Sequence, residues 1–321
     1  MMDRFKNILV AASVGQLEVP VLKAAARLTA ADTGQITVLD VIEPLPPRRR
    51  TVSVEGQLVD FEELLLRDRR EQLRQAVEKA GIPDAVVEVT AGKPFVEVIR
   101  YAMSHGSDVV IVGESPSSKD RPRSVAPDVM QLLRTCPIPV WVMCSSRART
   151  LRVLALVDPD PDDRVRDSLN DLVLGLATAI IRREGGELHV AHAWDLLGES
   201  TLRHSAFAAL PEREVDMMVQ AARDEHHAQL DELTKRHGVD ELGGGTHVLK
   251  GAAARVLPEL ADRLRINLIV MGTVARTGLS GLIMGNTAET MLRSVRCSVL
   301  TVKPEGFVSP VEPAVGVQDV P

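Results

Sequence analysis

Residues 89–113 read VTAGKPFVEVIRYAMSHGSDVVIVG, and residues 248–272 read VLKGAAARVLPELADRLRINLIVMG. Gly92 falls on Gly251 and Gly113 on Gly272, a constant separation of 159 residues. The same separation carries Val140-Trp141-Val142 onto Val299-Leu300-Thr301 without a gap. Nearer the start, ILVAAS (8–13) aligns with VLALVD (153–158) at a separation of 145, so the second copy is 14 residues longer between its first and third strands. A period of about 150 residues is too long for a solenoid unit and fits a duplicated domain. The expected organisation is a first domain over 1–146, a second over 149–306, and a disordered tail over 307–321. CSSRART (144–150) reads as the linker.

Within each copy short β-rich runs alternate with helical patterns. In the first, strands are expected near 7–13, 36–42, 85–90, 108–113 and 138–143. Helices are expected near 17–31, 58–80, 94–105 and 127–134. NILVAA, DVVIVG, RVLALV and NLIVMG are continuous apolar runs rather than alternating ones. Such runs belong to parallel strands covered on both faces by helices. The fold class is therefore α/β, with two tandem doubly wound parallel-sheet domains of flavodoxin-like or Rossmann-like type. The final strands, IPVWVM (138–143) and SVLTVK (298–303), are short apolar edges that need cover. Pairing them within the chain would make an intramolecular pseudo-dimer, open to further homodimerisation.

Composition narrows the function. The chain has 321 residues, 45% hydrophobic and 26% charged, with a net charge of −6. An acidic balance argues against a nucleic-acid partner. Aromatics at 2% leave little for stacking platforms. No apolar stretch is long enough to span a bilayer, and the N-terminus lacks the apolar core of a signal peptide. Three scattered cysteines, Cys136, Cys144 and Cys297, read as reduced thiols of a cytoplasmic protein rather than a disulfide framework.

In a doubly wound sheet, ligands bind where the chain reverses, outside the carboxyl ends of the strands. In the second copy the first strand is expected to end at Asp158, within DPDPDD, and the fourth at Gly272, which opens GTVARTGLSGLIMGNTAE (272–289). Gly272, Gly278, Gly281 and Gly285 let backbone amides approach an anion without Cβ interference. Asn286-Thr287 begins a helix whose amides and dipole point at the loop. That arrangement suits a phosphate chain, and Asp158 suits ribose hydroxyls or an amine. A plain glycine-rich turn beside a solvated acid is the alternative reading. The acids Asp158, Asp160, Asp162 and Asp163 fit a turn and helix start better than a Mg²⁺ site.

The segment from Gly272 to Asn286 resembles the nucleotide motif of the universal stress protein family, G-x2-G-x9-G-(S/T). Ala275 stands for the second glycine and Asn286 for the Ser/Thr, with Thr287 following. Asp158 matches the family's adenosine-contacting aspartate, and Ala193 a backbone contact after the second strand. The resemblance spans nearly the whole chain and is to the tandem-domain type. It implies a cytoplasmic stress-response protein that binds ATP, with or without Mg²⁺, or a related nucleotide, and acts without strong catalysis. The implied ligand contacts are Val157, Asp158, Ala193, Met271, Gly272, Thr273, Arg276, Gly278, Gly285, Asn286 and Thr287, with no catalytic or metal-ligating residue. A slow ATPase or nucleotide-dependent enzyme, a ligand-free scaffold, and a binder of another diphosphate-bearing ligand are the alternatives.

The first copy departs from this pattern. Ser13 replaces the aspartate, and Pro116, Ala126 and Pro127 fill motif positions. Proline has no N–H to offer a phosphate. Lys119, Arg121 and Arg123 read as a solvated basic cluster. This half is expected to be degenerate. His189 and His192 lie three apart on a strand and should face opposite ways, so shared metal ligation is not expected. His226-His227 reads as solvated, and 196–211 as a packed loop or short helix.

Overall fold

The computed structural model describes residues 5–12, 14, 17–29, 34–46, 51–54, 57–114, 125–144, 148–205, 210–273 and 284–313. The first half runs β1 (Asn7–Ala11), α1 (Val19–Leu28), β2 (Gln35–Ile42), β3 (Thr51–Val54), β4 (Gln57–Asp60), α2 (Phe61–Ala80), β5 (Val86–Ala91), α3 (Pro94–Ser104), β6 (Val109–Glu114), α4 (Pro127–Thr135) and β7 (Val140–Cys144). The second runs β8 (Arg152–Leu156), α5 (Arg164–Glu184), β9 (Glu187–Trp194), α6 (Glu199–His204), α7 (Glu212–Arg236), a 3-10 turn (Val239–Leu242), β10 (Gly244–Lys250), α8 (Ala253–Arg263), β11 (Leu268–Gly272), α9 (Asn286–Ser294) and β12 (Ser298–Val302).

One ten-stranded sheet carries both halves, in the order β10-β9-β8-β11-β12-β7-β6-β1-β2-β5. Each half is thus ordered 3-2-1-4-5, the Rossmann order without its sixth strand rather than that of flavodoxin. In both arrangements the first strand flanks the reversal. Within each half the strands are parallel. The duplication survives in single hydrogen bonds. Gly92 donates to Ile42 at 3.0 Å and Gly251 to Trp194 at 2.8 Å. Asp108 donates to the Asn7 carbonyl at 2.8 Å, and Asn267 to that of Arg152 at 2.9 Å.

The apolar runs are buried on both faces. Ile8 and Val10 of β1 belong to a core layer that also holds residues of α1, α2, α5 and α7, while Leu9 and Ala11 belong to the opposite layer, with residues of α3, α4, α8 and α9. The helices start where local chemistry permits. Asp60 accepts from the Glu63 N–H at 3.1 Å, and Asp163 accepts from Val165 and Arg166. Prolines open α1, α3 and α4.

The two halves meet through β7 and β12, which pair antiparallel. Both expected edge strands are therefore covered by one another. Three further contacts cross the same seam. The Arg183 guanidinium donates to the carbonyls of Leu28 and Thr29, capping α1. Arg134 pairs with Glu289 at 3.3 Å. The buried Lys303 ammonium donates to the Leu133 carbonyl at 2.9 Å.

Three details differ from the sequence reading. The segment 51–60 forms a two-stranded antiparallel ribbon, β3–β4, so α2 begins at Phe61 rather than near 58. Strand β8 ends at Leu156, two residues before Asp158. Within 196–211, the short helix α6 agrees with the sequence reading. Residues 307–313, read as tail, pack onto the first half. The Ser309 hydroxyl donates to the Thr135 carbonyl at 2.8 Å, and Val311 is buried against the α3/α4 core. The rest of the tail, 314–321, lies outside the described residues.

Candidate functional site

The reversal in the second half falls between β8 and β11, which pair from Leu268↔Val153 to Met271↔Leu156. Their carboxyl ends deliver Val157 and Asp158 on one side and Met271, Gly272 and Thr273 on the other. The neighbouring β9 pairs Leu156 with Ala191, so Ala193 stands two residues further along the same direction. Gly285 caps α9 with no side chain of its own, and its N–H donates to the Thr273 carbonyl at 3.0 Å. That bond holds the two ends of the glycine loop together and aims the opening amides of Asn286 and Thr287 from beside Thr273. Seven of the eleven expected contacts thus converge from β8 and β11 and the entry to α9 (Val157, Asp158, Met271, Gly272, Thr273, Asn286 and Thr287), with Gly285 and Ala193 beside them. Arg276 and Gly278, like Ala275 and Gly281, lie outside the described residues.

Asp158 is held by groups that the sequence reading did not single out. The buried Asn170 side chain of α5 clasps its peptide, accepting from the Asp158 N–H at 2.9 Å and donating to its carbonyl at 3.0 Å. This clasp takes over where the ladder ends, one residue after the Val157 N–H donates to the Ala191 carbonyl at 3.1 Å. Arg166 gathers the acids of the DPDPDD turn, reaching Asp160 at 2.9 Å, Asp158 at 3.5 Å and Asp163 at 3.5 Å. Asp163 serves as the α5 cap. Among the described residues no group of three or more His, Cys, Asp or Glu is arranged to hold a metal ion.

The histidines require a correction. His226 is packed, not solvated: its Nδ1 lies 3.1 Å from His192 Nε2, and its ring centroid lies 5.1 Å from that of Trp194. Helix α7 lies over β9 and brings His226 down onto the sheet. His192 is buried, its Nδ1 3.2 Å from the Val157 carbonyl and 3.7 Å from Asp158 Oδ1. His189 instead meets His247 of β10 at 3.2 Å. Burial lowers the pKa of both members of that second pair, which favours the neutral imidazole.

Two structural roles overlap the expected binding roles. A Cβ on Gly272 would sit 2.6 Å from Leu169 Cδ2, so this glycine lets α5 pack closely on β11. Thr273 is fully buried, and its hydroxyl accepts from Lys303 Nζ at 2.5 Å. Burial pulls the Lys303 ammonium down to about 8.

In the first half the corresponding places are filled differently. Glu114 stands where Thr273 stands, and Ala126 caps α4 where Gly285 caps α9. Pro127 occupies the first turn of α4, removing an amide. Ser13, Pro116 and the basic residues Lys119, Arg121 and Arg123 lie outside the described residues.

The model of the Universal stress protein family matches residues 4–143 and 152–303. The chain belongs to the universal stress protein family. Universal stress protein E of Escherichia coli K12 is 27% identical over 323 residues, covering 97% of this chain and 98% of that protein. The Universal stress protein E homolog of Haemophilus influenzae is 24% identical, covering 94% and 98%. Among solved structures, a putative universal stress protein from Pseudomonas aeruginosa UCBPP-PA14 superposes with a TM-score of 0.67 at 24% identity, covering 94% of this chain and 95% of that one. A protein of unknown function from Pseudomonas aeruginosa PAO1 gives 0.68 at 23%, covering 94% of each. These likenesses span both halves, so each half is a universal stress protein domain on a Rossmann-like sheet.

Proposed function

We propose that this universal stress protein binds one molecule of ATP or a related nucleotide in its second domain and acts in the stress response by binding rather than turnover, as a cytoplasmic protein. The observation that carries the reading is the convergence at the β8/β11 reversal. An aspartate on a clasped peptide, a glycine strand end and the uncapped start of a nine-residue helix meet at one crevice. Backbone amides at a helix start favour phosphate, and a carboxylate beside them favours ribose hydroxyls. The ligand would be held by Val157, Asp158, Ala193, Met271, Gly272, Thr273, Arg276, Gly278, Gly285, Asn286 and Thr287. Asp158 enters the site already oriented, because Asn170 fixes its backbone and Arg166 its carboxylate.

Native mass spectrometry of the freshly purified chain tests this. One added mass per chain, matching a nucleotide and lost in Asp158→Ala, is expected. A chain that carries no nucleotide and takes none up from added ATP and Mg²⁺ contradicts it.

A further inference from the structure

At the seam, β12 and β7 pair as Thr301↔Val140, Leu300↔Trp141 and Val299↔Val142. Extended by two residues past the last paired position, this register sets Cys297 opposite Cys144. Residues two apart in a strand share a face, so the two cysteines follow Val142 and Val299 on the side covered by α3, α4, α8 and α9. Cys297 packs against that core, as do Val140, Val142 and Val299. Cys144 Sγ lies 3.8 Å from the Cys297 carbonyl, which places the thiol directly against its cross-strand neighbour. The backbone ladder gives way here to Ser298. Its Oγ accepts from the Cys144 N–H at 3.0 Å, and its hydroxyl approaches the Cys144 carbonyl at 3.4 Å. Opposed residues of an antiparallel pair sit about 4.5–5.5 Å apart at Cα, inside the span of about 4.4–6.8 Å that a disulfide bridges.

Access singles out the same pair. A cleft of about 310 Å³ opens beside it, lined by Cys144, Cys297, Arg265, Arg296, Asp262 and Asn267 among others. Both cysteines line the cleft, Cys297 half-buried and Cys144 buried. Cys136, by contrast, is 1% exposed, and burial pushes its thiol up to about 12.

We propose that Cys144 and Cys297 are a redox pair that a hydroperoxide converts to a disulfide stapling the two domains across the seam. The Cys297 thiolate attacks one peroxide oxygen. The O–O bond breaks, the departing hydroxide takes a proton and leaves as water, and Cys297 carries S–OH. Cys144 gives up its thiol proton and attacks the Cys297 sulfur. The S–S bond forms, the S–O bond breaks, and the hydroxide leaves with that proton as a second water. Two thiols are oxidised and one hydrogen peroxide is reduced to two waters. The bridge would join strands that belong to different domains, so it restrains their separation without touching the β8/β11 crevice.

The test treats the full-length reduced chain with hydrogen peroxide, blocks remaining thiols, and maps peptides without reduction. The expected result is a linked pair of peptides containing Cys144 and Cys297. The denatured thiol count falls from the three cysteines of the chain to one. Tm rises by several degrees and returns to its starting value with dithiothreitol. Cys297→Ser and Cys144→Ser each abolish the link and the rise. Should either variant fold poorly, the map of the unaltered chain decides alone. Retention of all three thiols, a link through Cys136, or a link between chains overturns the proposal.

Discussion

Asn170 shows how much of the crevice depends on one side chain outside the motif. Its amide satisfies both polar groups of the Asp158 peptide at a point where β8 has already ended. Asn170→Leu would leave a half-buried N–H and C=O without that partner, and each such loss costs about 1–3 kcal/mol when the group is kept from water. Urea unfolding should show a loss of about 2–4 kcal/mol, and ATP affinity should fall with it because Asp158 is no longer fixed. An unchanged midpoint would mean that water replaces the clasp. Lys303 makes a second residue-scale case. Its ammonium is buried at about 8 against an ordinary 10.5, because burial disfavours the charged form. Below pH 8 both folded and unfolded chains hold the proton, and the cost of burying it is constant. Between pH 8 and 10.5 the unfolded chain holds the proton that the folded chain releases, so stability rises with pH. Relative to Lys303→Met, the unaltered chain should gain up to about 3 kcal/mol across that window. Parallel pH profiles for the two proteins would show that Lys303 stays charged. Neither residue drew notice in the sequence, since Asn170 and Lys303 look like ordinary helix and strand-end positions. Their roles come from partners 12 and 30 residues away, Asp158 and Thr273.

At the scale of elements, the strands were the legible part. Continuous apolar runs such as NILVAA and NLIVMG permit no exposed face, and they form β1 and β11 inside the sheet. The constant separation of 159 residues between Gly92 and Gly251 carried β5 and α3 onto β10 and α8. The ribbon β3–β4 was missed because TVSVEGQLVD runs directly into the acidic first turn of α2, whose Asp60 cap dominates the local pattern. His226 was misread for a different reason. A charged helix such as α7 looks solvated until the sheet order places it over β9. The glycine loop itself was legible as a motif, but the bond from Gly285 to Thr273 that closes it was not. The element whose isolation tells most is β7. Its far side is covered by β12 alone, and a bare apolar edge recruits another strand. Residues 1–148 expressed alone should dimerise or precipitate. A well-behaved monomer by sedimentation would show that β7 needs no cover.

The whole molecule is one sheet built from two universal stress protein domains that share topology but not chemistry. The duplication has kept the framework bonds, such as Ala12 to Leu39 and Val157 to Ala191, while the crevice residues diverged. Where the second domain offers Asp158, Gly285 and Asn286, the first places Ser13, Ala126 and Pro127. A Cβ where backbone must meet phosphate excludes the ligand, and a missing N–H removes a donor. Each lost bond to a charged group is worth about 1.5–3 kcal/mol, so several together remove micromolar binding. Calorimetric titration of the full chain with ATP and Mg²⁺ tests this asymmetry most directly. The expected stoichiometry is near one, abolished by Gly285→Val and unchanged by Ser13→Ala. Two equivalent sites, or binding that survives Gly285→Val, would contradict the assignment of the site to the second domain.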